Sequence, residues 1–240
     1  MILIRGIMKV TSLFVSMSSA LLFCTTGVQA AGMIPETSIV IIEQADGEGA
    51  INVKNSDGSP ALLITTLQNI ADDKITNLLS VTPPAARVEP GKSQRVRFIL
   101  IDKTPLKTER LGRVIFEGVP PQKKDENVVR LNIRQNLPLL IRPAGLAKDE
   151  APWKRLTWKQ AGNQLTVSND SPYVVRLGQG VQTLPDNVSW ALPQSYVLPG
   201  QKITISPDKD KQPGVASSVR ISPATTWGYS AGTFDAPVSR

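Results

Sequence analysis

Acidic pairs are the groups in this sequence best suited to chemistry, because neighbouring carboxylates can serve in acid–base catalysis or bind a metal ion. They lie in predicted loops near lysines, which is typical of solvated turn charges, and none has the dense oxygen array of a calcium loop. These groups are Asp72-Asp73, Asp125-Glu126, Asp149-Glu150 and Asp208-Lys209-Asp210. We therefore expect no catalytic residue, no metal site and no cofactor.

Histidine is absent from the 240 residues, and only one cysteine is present. Ser–His and Cys–His catalysis and imidazole metal sites are thereby excluded, and no phosphate loop, nucleophile elbow or zinc-ligand spacing occurs. The tryptophans could form a sugar-stacking platform, but packing in a core or at the elbow between the domains is their commoner role. They are Trp153, Trp158, Trp190 and Trp227. This inventory argues against an enzyme.

Residues 1–30 have the pattern of a secretory signal peptide. Arg5 and Lys9 precede an apolar run, and small residues at Gly27–Ala30 offer a cleavage site. The run is too short and interrupted to span a bilayer, so no membrane insertion is expected. A lipoprotein site at Cys24 is an alternative, although the bulky Phe23 precedes it. The predicted mature chain is exported and free of cysteine, so its core must hold without disulfides.

Charge and patterning indicate the class of partner and the fold. The chain has 27 Lys and Arg against 20 Asp and Glu, scattered through strand-like segments with little aromatic interleaving, which argues against nucleic acid. Short β-branched runs alternate with turn formers, and the stretch around residues 143–152 becomes small and charged. We predict an all-β chain with two sandwich domains in tandem, over residues 31–146 and 147–240.

The longest alternating stretch is Val128–Ile141. Val129, Leu131 and Ile133 point to one side of the predicted strand, and Pro138 cannot donate a ladder hydrogen bond, which predicts an edge strand or a bulge there. Alternation alone leaves two interpretations open. The three aliphatic residues fill the core of their own sandwich, or they are presented to another chain that lacks a strand.

Motifs spread over most of the chain resemble the periplasmic pilus-assembly chaperones of the chaperone–usher pathway. In chain order they are Thr82-Pro83-Pro84, Arg87–Gly91, Arg95–Phe98, Glu109–Leu111, Val119–Pro121, Leu139–Ala144, Val167–Val175 and Val197–Gly200. The resemblance implies two immunoglobulin-like β-sandwich domains set at an angle. It also implies a donor strand whose subunit-binding residues fall on Val129, Leu131 and Ile133.

The resemblance further implies a periplasmic protein whose partners are pilus or fimbrial subunits and the outer-membrane usher. An open donor edge also favours capping by a second copy, so a self-capped homodimer is one expectation for the free protein. A structural pilin or adhesin and a carbohydrate-binding sandwich are the alternatives. A pilin would show an alternating N-terminal extension and usually a cysteine pair, and the predicted mature chain has neither.

Two positions depart from the family pattern. The family anchors the terminal carboxylate of the pilus subunit with an Arg on the first strand and a Lys on the last. The corresponding residues here are Ser38, or Ile39 in the adjacent register, and Pro138, and none of them presents a cation. Candidate replacements for this anchor are Ser38, Arg134, Gln135 and Asn136.

The family also carries an ionic cluster between its domains. Glu109 and Arg142 match two members of it and are predicted to form an interdomain ion pair, with a solvated surface pair as the alternative. The third member, an Asp, has no counterpart around Ser222–Trp227.

Overall fold

A computed structural model of the chain describes residues 32–121, 133–207 and 212–240. The predicted signal peptide lies outside these ranges, and so do Val129 and Leu131 of the predicted donor strand. Within the ranges, no helix has both the length and the apolar character needed to cross a bilayer.

The first sandwich is built from nine described strands. They are β1 (Met33–Pro35), β2 (Val40–Glu43), β3 (Glu48–Asn55), β4 (Ala61–Gln68), β5 (Leu79–Thr82), β6 (Ala85–Val88), β7 (Ser93–Leu100), β8 (Arg110–Val119) and β9 (Arg134–Arg142). Their pairing follows the order β5-β7-β3-β2-β9-β8-β4-β6, with β1 added to β3. The strand β2 is the link between the two halves of this path.

Alternation of side chains explains why these segments pack as two layers. In β7, Val96, Phe98 and Leu100 are buried while Arg95 and Arg97 face solvent. The buried residues of β7 share one core with those of β8 and β9 at the other half of the path. The two halves therefore face each other across a common apolar interior.

The second sandwich follows a short 3₁₀ helix, Pro152–Arg155. Its strands are β10 (Thr157–Ala161), β11 (Gln164–Ser168), β12 (Val175–Arg176), β13 (Gly180–Leu184), β14 (Ser189–Ala191), β15 (Tyr196–Val197), β16 (Lys202–Ile205), β17 (Ser218–Ile221) and β18 (Phe234–Ser239). The main sheet has the order β14-β13-β17-β18-β10-β11-β16, and β12 pairs with β15. The predicted all-β architecture of two sandwiches is confirmed.

The tryptophans divide between core and surface. Trp153, Trp158 and Trp190 are buried in the core of the second sandwich, as their usual packing role predicts. Trp227 is 56% exposed and lies outside the core, and its main-chain oxygen accepts from the Ser38 hydroxyl of the first sandwich. It lies in the loop between β17 and β18.

An apolar cluster joins the two sandwiches. Ile39, Leu111 and Leu140 of the first pack against Val174 and Leu198 of the second, and all five are buried. Residues 32–240 accordingly form one compact unit. This junction places the end of β9 next to the second sandwich.

Candidate functional site: the free edge of the ninth strand

The strand β9 changes its neighbours part-way along its length. Its antiparallel ladder with β8 runs from Arg134 to Ile141, whereas its parallel ladder with β2 begins at Leu139, opposite Val40. On the side away from β8, residues 134–138 therefore have no partner strand in the described part of the chain. The backbone N–H and C=O groups of such an edge can pair with another polypeptide.

Pro138 lies at this change of neighbours. It is opposite Arg113 in the ladder with β8 and directly precedes Leu139. Because proline has no N–H to give, sheets accept it on edges and at bulges. The sequence analysis predicted an edge strand or a bulge at Pro138. The structure confirms an edge, on the side of β9 away from β8.

Ile133 directly precedes β9 and is 44% exposed. It has the same strand parity as Leu137, Leu139 and Ile141, which all belong to the core of the first sandwich. Ile133 therefore extends the core-facing side of β9 beyond the start of the strand, and the first sandwich buries only about half of this side chain. Val129 and Leu131 lie outside the described residues, so the donor assignment stays a prediction.

The predicted anchor residues are placed apart. The Ser38 hydroxyl donates to the main-chain oxygen of Trp227 in the second sandwich, at 2.9 Å. Arg134 lies at the opposite end of β9 from β2, where its Nε is 2.9 Å from a carboxylate oxygen of Glu117. Half-buried Gln135 follows it. The structure therefore does not bring Arg134 to the domain junction where Ser38 lies.

Asn136, the last of these candidates, is bound to an arginine that the sequence analysis did not single out. Its side-chain oxygen accepts from Nε of Arg113 at 2.7 Å, and its main-chain oxygen accepts from Nη2 at 2.6 Å. Arg176 of β12 was missed as well. The sequence signal that could have indicated Arg176 is a cation between two apolar residues of a predicted strand, Val175 and Leu177.

Burial shapes the electrostatics of both arginines. Burial lowers the pKa of the Arg113 guanidinium. It also lowers the pKa of the Arg176 guanidinium, where it is the larger of two causes. The second cause at Arg176 is the positive charge of Arg113. Two cations from different sandwiches thus lie close enough to repel each other.

Glu109 and Arg142 meet at the domain junction. Arg142 Nε is 3.4 Å from Glu109 Oε1, and its Nη1 is 2.9 Å from Glu43 Oε1. Glu109 also contacts the second sandwich, because Oε2 accepts from the Val174 N–H and its own N–H donates to the Pro172 oxygen, each at 2.8 Å. Both members of the pair are buried, at 6% and 9% exposure.

Burial is the main influence on the Glu109 carboxyl and raises its pKa. The Val174 N–H and the Arg142 charge oppose this shift without cancelling it. Glu43, which was not among the predicted members, is the second carboxylate bound to Arg142.

In the acidic pair Asp72-Asp73, Asp73 is not the solvated turn charge that the sequence analysis predicted. Asp73 is 7% exposed and accepts from the Arg110 side chain and from the Leu111 N–H, so it is not a solvated turn charge. Its role is to hold the start of β8. Within the described ranges, no three Asp, Glu or Cys residues gather in a way that could hold a metal ion.

Comparison with known families and proteins identifies the chain's relatives. The N-terminal domain of PapD, described as a pili and flagellar-assembly chaperone, matches residues 32–147, and the C-terminal domain of the PapD pili assembly chaperone matches residues 151–230. The chain belongs to the PapD family of fimbrial chaperones. An uncharacterized fimbrial chaperone of Escherichia coli K12, YhcA, is 39% identical over 209 residues, covering 86% of this chain and 92% of YhcA.

Other chaperones match this chain at lower sequence identity or by their fold. MrkB of Klebsiella pneumoniae is 26% identical over 228 residues, covering 84% of this chain and 98% of MrkB. A chain from the Salmonella enterica complex of the SafA pilin with the SafB chaperone aligns with a TM-score of 0.68 and 22% identity, covering 87% and 97% of the two chains. The E. coli chaperone DraB aligns with the same TM-score and identity, covering 87% and 100%.

These matches confirm the family resemblance and the tandem immunoglobulin-like fold. They identify a family of chaperones, and the alternatives of a pilin and of a carbohydrate-binding sandwich find no support in them.

Proposed function

We propose that this fimbrial chaperone binds pilus subunits by donor-strand complementation in the periplasm and delivers them to the outer-membrane usher. The observation that carries the proposal is the free edge of β9 at residues 134–138, preceded by the half-exposed Ile133. A subunit that lacks one strand of its own sandwich can pair its backbone with such an edge.

The chemistry of the edge suits a partly folded client. Main-chain hydrogen bonds supply affinity without regard to sequence, and alternate side chains supply the apolar contacts. Each aliphatic side chain of the donor strand that becomes fully buried in the client contributes about 1.5–3 kcal/mol. Val129, Leu131 and Ile133 are the proposed contacts.

Solved structures with a similar fold support this choice of partner. Two of them are complexes of a chaperone with a pilin or with a tip adhesion subunit, SafB with SafA and CsuC with CsuE. These partners belong to those proteins, and the likeness in fold supports the proposal of a subunit partner for this one. The usher as recipient follows from the family resemblance.

No cofactor enters the proposed cycle. The client's own folding supplies the free energy of capture, and later exchange with the extension of another subunit releases the client. We propose residues 1–30 as the export signal, residues 31–146 as the subunit-binding domain and residues 147–240 as the second domain. The same free edge would allow two empty copies to cap each other.

Co-expression in the periplasm with a fimbrial subunit of the same organism tests the proposal. We expect the two proteins to purify together as a soluble complex, and we expect the subunit to aggregate or be degraded without the chaperone. If every such subunit reaches its soluble state equally well without the chaperone and none binds it, the proposed function is wrong.

A further inference from the structure

Two exposed aromatic side chains lie close together in the loop between β17 and β18. Trp227 is 56% exposed and Tyr229 is 71% exposed. Every other aromatic side chain of the described residues is buried or half-buried. Large aromatic surfaces are normally buried in folded proteins, and at interfaces they contribute a large share of the binding energy. This aromatic loop therefore has the composition of a contact site for another molecule.

Hydrogen bonds hold the aromatic loop in a fixed shape. The Thr225 N–H donates to the main-chain oxygen of Tyr229, and the Gly228 N–H donates to that of Thr225, each at 2.8 Å. Gly228 has a φ of 85°, which glycine adopts without strain. At the base of the loop, the Ala224 N–H donates to the Arg176 oxygen of β12 at 2.9 Å. A structured turn thus presents both side chains, and they lose little freedom when a partner covers them.

The aromatic loop lies beside the end of the free edge of β9. Ser38 comes two residues before Val40, the residue at which β2 begins to pair with β9. The Ser38 hydroxyl donates to the main-chain oxygen of Trp227 at 2.9 Å. A Cβ added to Gly228 would lie 3.0 Å from the same hydroxyl oxygen, so the loop backbone approaches Ser38 closely. The loop therefore borders the point at which a client strand on the free edge must stop.

Buried apolar contacts fix the position of the aromatic loop relative to β9. Ile39, which follows Ser38, and Leu140 of β9 belong to the same buried cluster as Val174. Val174 directly precedes β12, the strand to which the base of the loop is bonded. The free edge and the aromatic loop are thus held together as two parts of one surface, although they belong to different sandwiches.

We propose that Trp227 and Tyr229 form an aromatic contact site for the bound client subunit and pack against apolar side chains next to the client strand that pairs with β9. This inference rests on the proposed subunit-binding function. It gives the second sandwich a direct part in holding the body of the client.

The size of the client shows why it reaches the aromatic loop. The two sheets of a sandwich are about 10 Å apart, so a subunit that pairs through one strand extends well beyond that strand. At the end of the free edge, the group that borders the strand is the aromatic loop. Its side chains would be covered by the same subunit that pairs with residues 134–138.

Competition for a client tests the inference. An unfolded fimbrial subunit of the same organism is diluted into an equimolar mixture of affinity-tagged wild-type chaperone and an untagged variant, and the subunit bound to each is quantified after equilibration. The double variant Trp227→Ser with Tyr229→Ser should still capture the subunit. We expect it to bind about ten- to a hundredfold more weakly than the wild type.

The matched control is Val215→Ser. Val215 is 63% exposed and precedes β17, whereas the aromatic loop follows this strand, so the two lie at its opposite ends. This variant should compete equally with the wild type. Because the replaced side chains are exposed, the double variant and the control should both unfold at the wild-type temperature.

Quenching of tryptophan fluorescence by acrylamide measures the contact directly. The sequence has four tryptophans, and Trp227 is the exposed one, since Trp153, Trp158 and Trp190 are buried. The difference between the wild type and Trp227→Phe isolates the emission of Trp227, because any tryptophan of the subunit is common to both complexes. Trp227 should be quenched in the free chaperone and protected in the complex.

Three results would overturn the inference in distinguishable ways. If the double variant competes equally, or if acrylamide reaches Trp227 in the complex as it does in the free chaperone, the aromatic loop does not contact the client. Capture that still depends on Ile133 would then leave the donor strand in place. If Trp227 is protected in the free chaperone and becomes quenched on dilution, a second copy covers the loop instead. If the wild type captures no subunit, the proposed function fails together with the aromatic site.

Discussion

Leu139 of β9 pairs with Val40 of β2, and this is the first pair between the two strands. The same strand is therefore an internal strand from Leu139 onward and an edge strand before it. Its internal half is fixed in the core by Leu139 and Ile141, both fully buried. A donor strand that extends from a rigid base loses less conformational freedom when a client pairs with it.

Ile133→Asp should abolish the capture of fimbrial subunits while leaving the chaperone folded. The side chain is 44% exposed, so the aspartate stays in solvent in the free protein. In a complex it would be buried without a partner, which we expect to weaken binding at least about a hundredfold. Co-purification with a fimbrial subunit measures capture, and circular dichroism of the free variant measures folding.

The matched control is Ile101→Asp, because Ile101 is 59% exposed and follows β7, away from the free edge. Equal capture by both variants would contradict the donor assignment of Ile133.

The alternation predicted over residues 128–133 lies outside the described residues except at Ile133, and residues 137–142 of β9 are buried without alternation. The edge at Pro138 could be predicted from sequence, because the missing proline N–H acts locally. The partners of Asn136 and Arg142 could not. Arg113, which binds Asn136, is distant from it in sequence, and Glu43 reaches Arg142 only because β2 runs parallel to β9. Such contacts depend on strand order and register, which a single sequence does not specify.

Glu109→Gln should change how stability depends on pH. Burial raises the folded-state pKa of Glu109 above its ordinary value of 4.5, so the folded state favours the protonated carboxyl. Its contribution is complete below the unfolded pKa and is lost as the pH rises through the folded pKa. The free energy of unfolding of the wild type, minus that of Glu109→Gln, should therefore fall as the pH rises above 4.5.

Denaturant titrations across that pH range measure this difference. Groups elsewhere in the chain that titrate in this range are common to both proteins, so their contributions cancel in the difference. A difference that rises with pH would show that the Arg142 charge outweighs the burial of Glu109.

Asn169→Ala should destabilise the second sandwich. The side chain is fully buried, and its amide donates to the main-chain oxygens of Tyr173 at 2.8 Å and Val197 at 3.0 Å. Its loss leaves buried acceptors unpaired, which we expect to reduce the free energy of unfolding by about 1–3 kcal/mol. Asp170→Ala is the control, because Asp170 is exposed in the same loop. Chemical denaturation compares the two, and equal stability would show that solvent replaces the lost contacts.

Arg142→Met should be destabilising at neutral pH because it removes the cation from a buried cluster. Glu109 would remain at the domain junction with its 6% exposure and without an opposite charge. Removing one partner of a buried pair costs about 3–5 kcal/mol. This loss of stability should decrease in acid, since the raised pKa of Glu109 lets its carboxyl become neutral.

Arg87→Met is the matched control. The side chains of the Arg87–Glu89 pair are 70% and 53% exposed, and exposed pairs contribute little to stability. Denaturant titrations at neutral and acid pH measure both variants, and a cost for Arg142→Met that does not change with pH would show that Glu109 is not the carboxylate left uncompensated.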